Sequence, residues 1–209
     1  MTRQALIERI LRHVYGEQPT DDSNITANLV NLWINDGIGL AAKQNAKDSL
    51  AIDGITYVNN SFYTTFKNLA IAPYEQFSYQ VTLPQIPFGI GKNEGISSLT
   101  IVDSTGNISY DVLMLSENQI SYYRAMPKIP NKILGYPEGT FVYILSTLLL
   151  NIGYTARVKM ISGGDSTNLN SVLNVPDDFV PVIFDYCAKM LLAERLVPKD
   201  IANDGIDKA

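Results

Sequence analysis

Apolar residues recur with a helical period in three stretches of this chain and alternate with polar ones between them. Near the start, Ile7, Ile10, Leu11 and Val14 share one face of a helix that Thr2 can cap and Gly16 can end. After the polar loop Glu17–Ser23, a second helical face is marked by Ile25, Leu29, Leu32 and Trp33. Gly37 and Gly39 weaken its middle, and the pattern fades toward Lys47. The third stretch is the clearest. Phe179, Val182, Ile183, Tyr186, Cys187, Met190 and Leu191 keep the i, i+3, i+4, i+7 spacing, with Asp177 or Asp178 as N-cap. Pro181 is tolerable in a first turn and Pro198 stops the run, so residues 178–196 form a rod of roughly 28 Å at about 1.5 Å per residue.

Between the second and third helices the period shortens. Ile55–Val58, Phe62–Ile71, Phe77–Leu83, Leu99–Val102, Ile108–Leu113, Thr140–Leu145 and Tyr154–Ile161 are alternating or rich in β-branched and aromatic residues, and read as strands. Asp103-Ser-Thr-Gly-Asn107 is the best hairpin turn among them. Ser116-Glu-Asn-Gln119 has the form of a capping box opening a short helix to about Ala125, and Pro127, Pro130 and Pro137 punctuate the stretch between that helix and Thr140. The expected fold class is therefore α+β. A helical base (1–54 and 171–198) carries a β-rich insertion (55–170) and ends in an extended C-terminal arm (199–209). That arm is charged and holds just two bulky apolar residues, Ile201 and Ile206. Stretched out, it reaches roughly 35 Å at ~3.3 Å per residue.

Composition shifts the picture toward contact. The net charge is −5, which argues against a tight, sequence-independent grip on DNA, since that rests on Lys and Arg neutralising phosphates. Charged residues make up 18% of the chain, below the roughly 25% usual for soluble domains, and twelve Tyr supply polarity instead. Such surfaces are enriched where proteins meet. The N-terminus has no signal-peptide h-region, and the longest apolar run, Phe141–Leu150, is too short to span a bilayer, so a cytoplasmic protein without membrane contact is expected.

The candidate chemistry is sparse. His13 is the sole histidine and Cys187 the sole cysteine, so neither a zinc constellation nor a nucleophile with a histidine base is expected, and no cofactor is implied. Cys187, on an apolar helix face, reads as a buried thiol and His13 as a surface residue. Asp21-Asp22 and Asp177-Asp178 sit at helix starts, where carboxylates favour the dipole. Phe88-Gly-Ile-Gly-Lys-Asn93 departs from a phosphate loop at Ile86 and Asn93 and reads as a loop tip.

Val175-Pro-Asp-Asp-Phe-Val-Pro-Val-Ile183, together with Leu196-Val-Pro-Lys-Asp-Ile-Ala-Asn-Asp-Gly205, resembles the head-to-tail adaptor or ring proteins of short-tailed, crAss-like bacteriophages. The helix–helix–insertion–helix–tail order is similar as well. The resemblance implies a non-enzymatic structural virion protein, made in the bacterial host cytoplasm, that joins portal to tail. It would form a homo-oligomeric ring of about twelve copies, touch other tail proteins, and let DNA pass its lumen during ejection without specific binding. It also implies that Lys199, Asp200, Ile201, Asn203, Asp204 and Ile206 form a portal-binding arm. Phe179, Val182, Ile183, Tyr186, Met190, Leu191 and Trp33 would then serve helix packing or a subunit interface. The alternative is a phage or bacterial binding module whose Tyr-rich insertion holds carbohydrate or peptide.

Overall fold

The computed structural model describes residues 1–16, 23–75, 78–90, 95–106, 108–116, 119–121, 123, 132–146, 150, 153–163 and 166–196. It is an α+β structure made of helices and one closed seven-stranded β-barrel. The chain divides into two compact units. One joins Met1–Gln44 to Gly163–Ala209, and the other is Asn45–Ser162. The division therefore falls inside a helix, about ten residues before the expected 54/55 boundary, and returns at Gly163, short of the expected 170/171.

Helix α1 spans Arg3–Tyr15. Thr2 Oγ1 accepts the Ala5 N–H at 3.3 Å, and Gly16, at φ 86°, donates its N–H to Arg12 O at 3.0 Å. Ile7, Ile10 and Leu11 are buried as expected, Leu6 joins them, and Val14 is half-buried.

Helix α2 spans Ser23–Asp53, well past Lys47, and ends at Gly54 with φ 69°. Ala41, Ala42, Lys43, Gln44, Ala46 and Lys47 favour its continuation by propensity, and the three alanines are also buried. Its buried face is Val30, Ile34, Ile38, Ala41, Ala42 and Ala46, and not the expected Leu29–Leu32–Trp33 stripe. Gly37 belongs to this face for a reason that propensity misses. A Cβ there would stand 2.9 Å from Ile183 Cγ2 and 3.4 Å from Ile183 Cα, so the glycine admits close helix–helix approach.

Helix α3 spans Val180–Leu196 after a 3-10 turn at Asp177–Phe179. Pro176 takes the cap position of that turn without a side-chain bond, so Asp177 and Asp178 act in the first turn on the dipole rather than as caps. The buried face is rotated from the expected one. Val180, Ile183, Cys187, Ala188 and Leu191 are inside, Phe179, Val182 and Tyr186 are half-buried, and Met190 is 37% exposed. Ala188 is too small to register as a core position in a pattern of bulky residues.

The barrel strands are β1 Tyr63–Glu75, β2 Ser78–Thr82, β3 Ile96–Val102, β4 Ser109–Met114, β5 Ile133–Glu138, β6 Phe141–Leu145 and β7 Thr155–Ile161. Their order around the barrel is β1-β2-β6-β5-β4-β3-β7, closed by β1 on β7 and antiparallel except for β4 with β5. β1 makes closure possible. Its first half pairs with β7 and its second half with β2, and register shifts fall at Phe66/Leu69 and Pro73/Glu75, with Asn68 at φ 59° in the first. Bulges of this kind bend a strand round a barrel corner. Alternate residues fill the interior, among them Val81, Leu99, Ile101, Val142, Ile144, Ala156, Val158 and Met160.

Two expectations within the barrel are corrected. Ile55–Val58 is not a strand, and leads into a 3-10 turn at Asn60–Phe62. β5 is absent from the expected strands, because Gly135 and Pro137 read as breakers. Gly135 is there for space, since a Cβ would meet Val112 Cγ1 on the neighbouring strand at 2.7 Å. The Asp103 turn forms as expected between β3 and β4. Asp103 Oδ1 accepts the Ile108 N–H and Oδ2 the Thr105 hydroxyl, with Gly106 at φ 77°. Half of the capping box is in place, with Gln119 Oε1 accepting the Ser116 N–H at 3.1 Å. Gln119–Ser121 and Tyr123 are helical as expected, while Tyr122, Arg124, Ala125, Pro127, Pro130 and residues 91–94 lie outside the described residues.

Candidate interaction surfaces

Helix α2 has two apolar faces. A residue at i+2 lies about 200° round a helix at 3.6 residues per turn, so Leu32 stands opposite Val30, with Leu29, Trp33 and Leu40 beside it. Leu32 is 61% and Leu40 44% exposed, while Leu29 and Trp33 are half-buried. The repeat that the sequence pattern marks is thus one that the fold leaves exposed or half-buried. Asp36, Lys43 and Lys47 are interspersed on the same side and are exposed.

On the inner side of the helical unit the organising residue is Arg3, which is fully buried. Its guanidinium donates to Asn31 O at 3.0 Å, Asn31 Oδ1 at 2.8 Å, Asn35 Oδ1 at 2.6 Å and Gly163 O at 2.8 Å. Asn31 Nδ2 in turn donates to Ser166 O at 3.0 Å. One side chain from the start of the chain therefore fastens α1 to α2 and to the backbone where the chain re-enters the unit. Backbone bonds extend this lock, from Arg3 N–H to Ser171 O, Gln4 N–H to Leu169 O and Leu173 N–H to Met1 O. Gly163 has room for no side chain, because a Cβ would stand 2.8 Å from Arg3 Nη2 and 3.0 Å from Ile38 Cδ1. Sequence reading misses Arg3, since a charged residue in a first turn looks solvated. The available signal is Asn31 and Asn35, two amides at i, i+4 flanking the buried face.

Among the site residues read from sequence, Ile183 and Leu191 pack inside the helical unit. Phe179, Val182 and Tyr186 flank them, and Met190 and its neighbour Leu192 face outward. Trp33 lies with the outward side of α2. Lys199, Asp200, Ile201, Asn203, Asp204 and Ile206 lie outside the described residues. His13 is exposed, its ring edge-on to Phe184 at 5.2 Å, and the Arg9 guanidinium stands 5.1 Å over the same ring. These contacts join α1 to α3. Cys187 is buried, and desolvation followed by the nearby Asp36 pushes its thiol up to about 12, against a smaller opposing pull from Arg3. At neutral pH it is a protonated, apolar filler. Burial, with Asp36 and Cys187 nearby, also raises the Tyr186 phenol.

The barrel unit has its own outward cluster. Tyr143 on β6 lies 5.4 Å from the stacked ring of Tyr136, 4.8 Å from Tyr74 and 6.3 Å from Phe141, centroid to centroid. Register explains it, because Tyr136 pairs with Tyr143 across β5 and β6 and both sit on the outer side of the pleat. Buried Leu115 and Leu134 support these rings, so the cluster is a second, small apolar layer over the barrel wall. The Tyr143 phenol is raised above its ordinary value, first by desolvation, then by the nearby Tyr74, Glu138 and Tyr136 and a hydrogen bond with Tyr74.

Among the described residues no three His, Cys, Asp or Glu side chains are grouped to hold a metal ion, and no helix is long and apolar enough to cross a membrane. No protein-family model matches the chain, and no curated protein matches its sequence.

Proposed function

We propose that the chain is a structural subunit of a bacteriophage virion, a head-to-tail adaptor that forms a ring beneath the portal and lets DNA pass during ejection. The observation that carries this reading is the second apolar face of α2. Burying half-exposed Leu and Trp side chains on a neighbouring copy is favourable by ~25 cal/mol per Å² of apolar surface. Asp36 and Lys43, interspersed on the same side, add charges of both signs to the contact. The helical base from the chain's two ends, the inserted barrel unit and the arm 199–209 come in the order expected of such an adaptor. In this reading the base makes ring contacts, the arm reaches the portal, and the acidic balance keeps the lumen from gripping phosphates.

Sedimentation of the purified full chain tests the central claim. The expected result is a closed oligomer that Leu32→Glu converts to a monomer with unchanged circular dichroism. A wild-type monomer at high concentration, in the presence of the portal as well as alone, sinks the reading. Removing residues 199–209 is expected to leave the oligomer intact and abolish its capture by portal.

A further inference from the structure

We infer that the barrel unit carries a saccharide-binding groove, formed where the segment Thr56–Tyr63, with its 3-10 turn, lies against the start of β3 and the end of β4. It is an open cleft of about 520 Å³, inside the range of roughly 300–1,000 Å³ typical of small-ligand sites. The inference is independent of ring formation, since every lining residue belongs to the barrel unit.

The groove is built and held in place. Its outer wall is the segment expected to be a strand, which forms none and is pinned by side chains of α2 instead. The buried Ser49 hydroxyl stands 2.9 Å from both Ala46 O and Tyr57 O and accepts the Tyr57 N–H at 3.1 Å. Asn45 Oδ1 accepts the Asn59 N–H at 2.8 Å, and Val58 is buried beneath. With its backbone fixed in this way, Tyr57 stays 51% exposed at the groove. A rigid, half-exposed aromatic wall costs little entropy to use on binding.

The chemistry of the lining selects the ligand. Tyr57 and Tyr63 supply ring faces for the C–H face of a pyranose, and exposed Leu113 adds apolar surface. Asn60, Ser97, Ser98 and Asp111 supply short polar groups suited to neighbouring hydroxyls. Two of these are oriented. Lys159 Nζ donates to Asn60 Oδ1 at 3.0 Å while standing 5.5 Å over the Tyr63 ring, which turns the Asn60 amide N–H groups to donor duty. Thr100 Oγ1 donates to Asp111 Oδ1 at 3.3 Å. The carboxylate of Asp111 opposes a nucleic-acid backbone. Neutral sugar rings fit both the stacking surface and the hydroxyl-matching groups.

Saturation-transfer NMR on the full chain with cellobiose, lactose, maltose and N,N′-diacetylchitobiose tests this. It reads the ligand, so ring formation neither helps nor hinders it. Transfer to the ring protons of at least one disaccharide is expected. Tyr57→Ala should weaken that binding by about tenfold, the loss of one stacked ring, while Tyr57→Phe preserves it. Tyr74→Ala, in the separate cluster around Tyr143, should leave it unchanged. Absence of transfer from all four sugars overturns the inference, as does equal binding by folded Tyr57→Ala protein or binding lost in Tyr74→Ala.

Discussion

The helical unit and the barrel unit are held together in different ways. In the helical unit, segments more than a hundred residues apart in the chain meet on one buried guanidinium and on glycines that permit contact. Arg3 alone ties α1, α2 and Gly163, and Gly37 lets α3 approach. In the barrel the holding is distributed. Each strand is paired on both sides, and the interior repeats the same alternation strand after strand. A unit that relies on a few long-range polar contacts is sensitive at points, whereas a closed ladder is sensitive only where a side chain would meet a neighbouring strand.

The largest expected effect comes from that contrast. Arg3→Ala leaves the Asn31 and Asn35 carbonyl groups and Gly163 O without their donor in a buried place, at a cost of about 3–5 kcal/mol. Hydrogen exchange should show lost protection in α1, α3 and the first half of α2, with β1–β7 amides less affected. Equal loss across both units would break the comparison.

A smaller and sharper test uses one glycine from each unit. Gly37→Ala gains helix propensity of about 1 kcal/mol but drives its Cβ against stiff, β-branched Ile183, and Gly135→Ala drives its Cβ against Val112. Both are expected to lower stability in denaturant titrations, by about 1–3 kcal/mol for overpacking before the propensity gain is subtracted at Gly37. The barrel variant should therefore lose more. A stabilised Gly37→Ala protein would show that the helices part easily and that close approach is not what requires a glycine there.

The smallest effects are at alkaline pH. Cys187, Tyr186 and Tyr143 all have raised folded values, so each keeps its proton longer in the native state. Their contribution to stability is complete below the unfolded value and is lost as pH rises through the folded one. For the phenols, whose ordinary value is 10.0, that window opens only above pH 10. For Cys187 it runs from about 9.0 to about 12. Melting temperature should fall across these windows, and Tyr143→Phe should flatten the part contributed by the barrel. At neutral pH the native thiol should resist a disulfide reagent that reacts at once with unfolded chain. Fast native reaction would place Cys187 outside the core.

Local structure is legible where one residue suffices to specify it. Thr2 and Gly16 set the ends of α1, Pro181 and the apolar repeat set α3 within two residues, and the Asp103 turn is written in its own five residues. Faces are harder. The stripe Leu29–Leu32–Trp33 is a true helical repeat, yet the fold buries Val30–Ile34–Ile38–Ala41 instead, on the side where Gly37 lets Ile183 approach closely. Equally, β5 hides behind Gly135 and Pro137, whose local preferences oppose a strand that a parallel neighbour nevertheless accepts.

Period, caps and turns are determined by the sequence alone, since they depend on a few bonds between near neighbours. The partner of each face, the closure of seven strands into one barrel, the burial of Arg3 and the pinning of Tyr57 by Ser49 were decided only in the tertiary structure. Each depends on groups distant in sequence finding enough contact together to outweigh the desolvation and ordering that none of them could offset by itself.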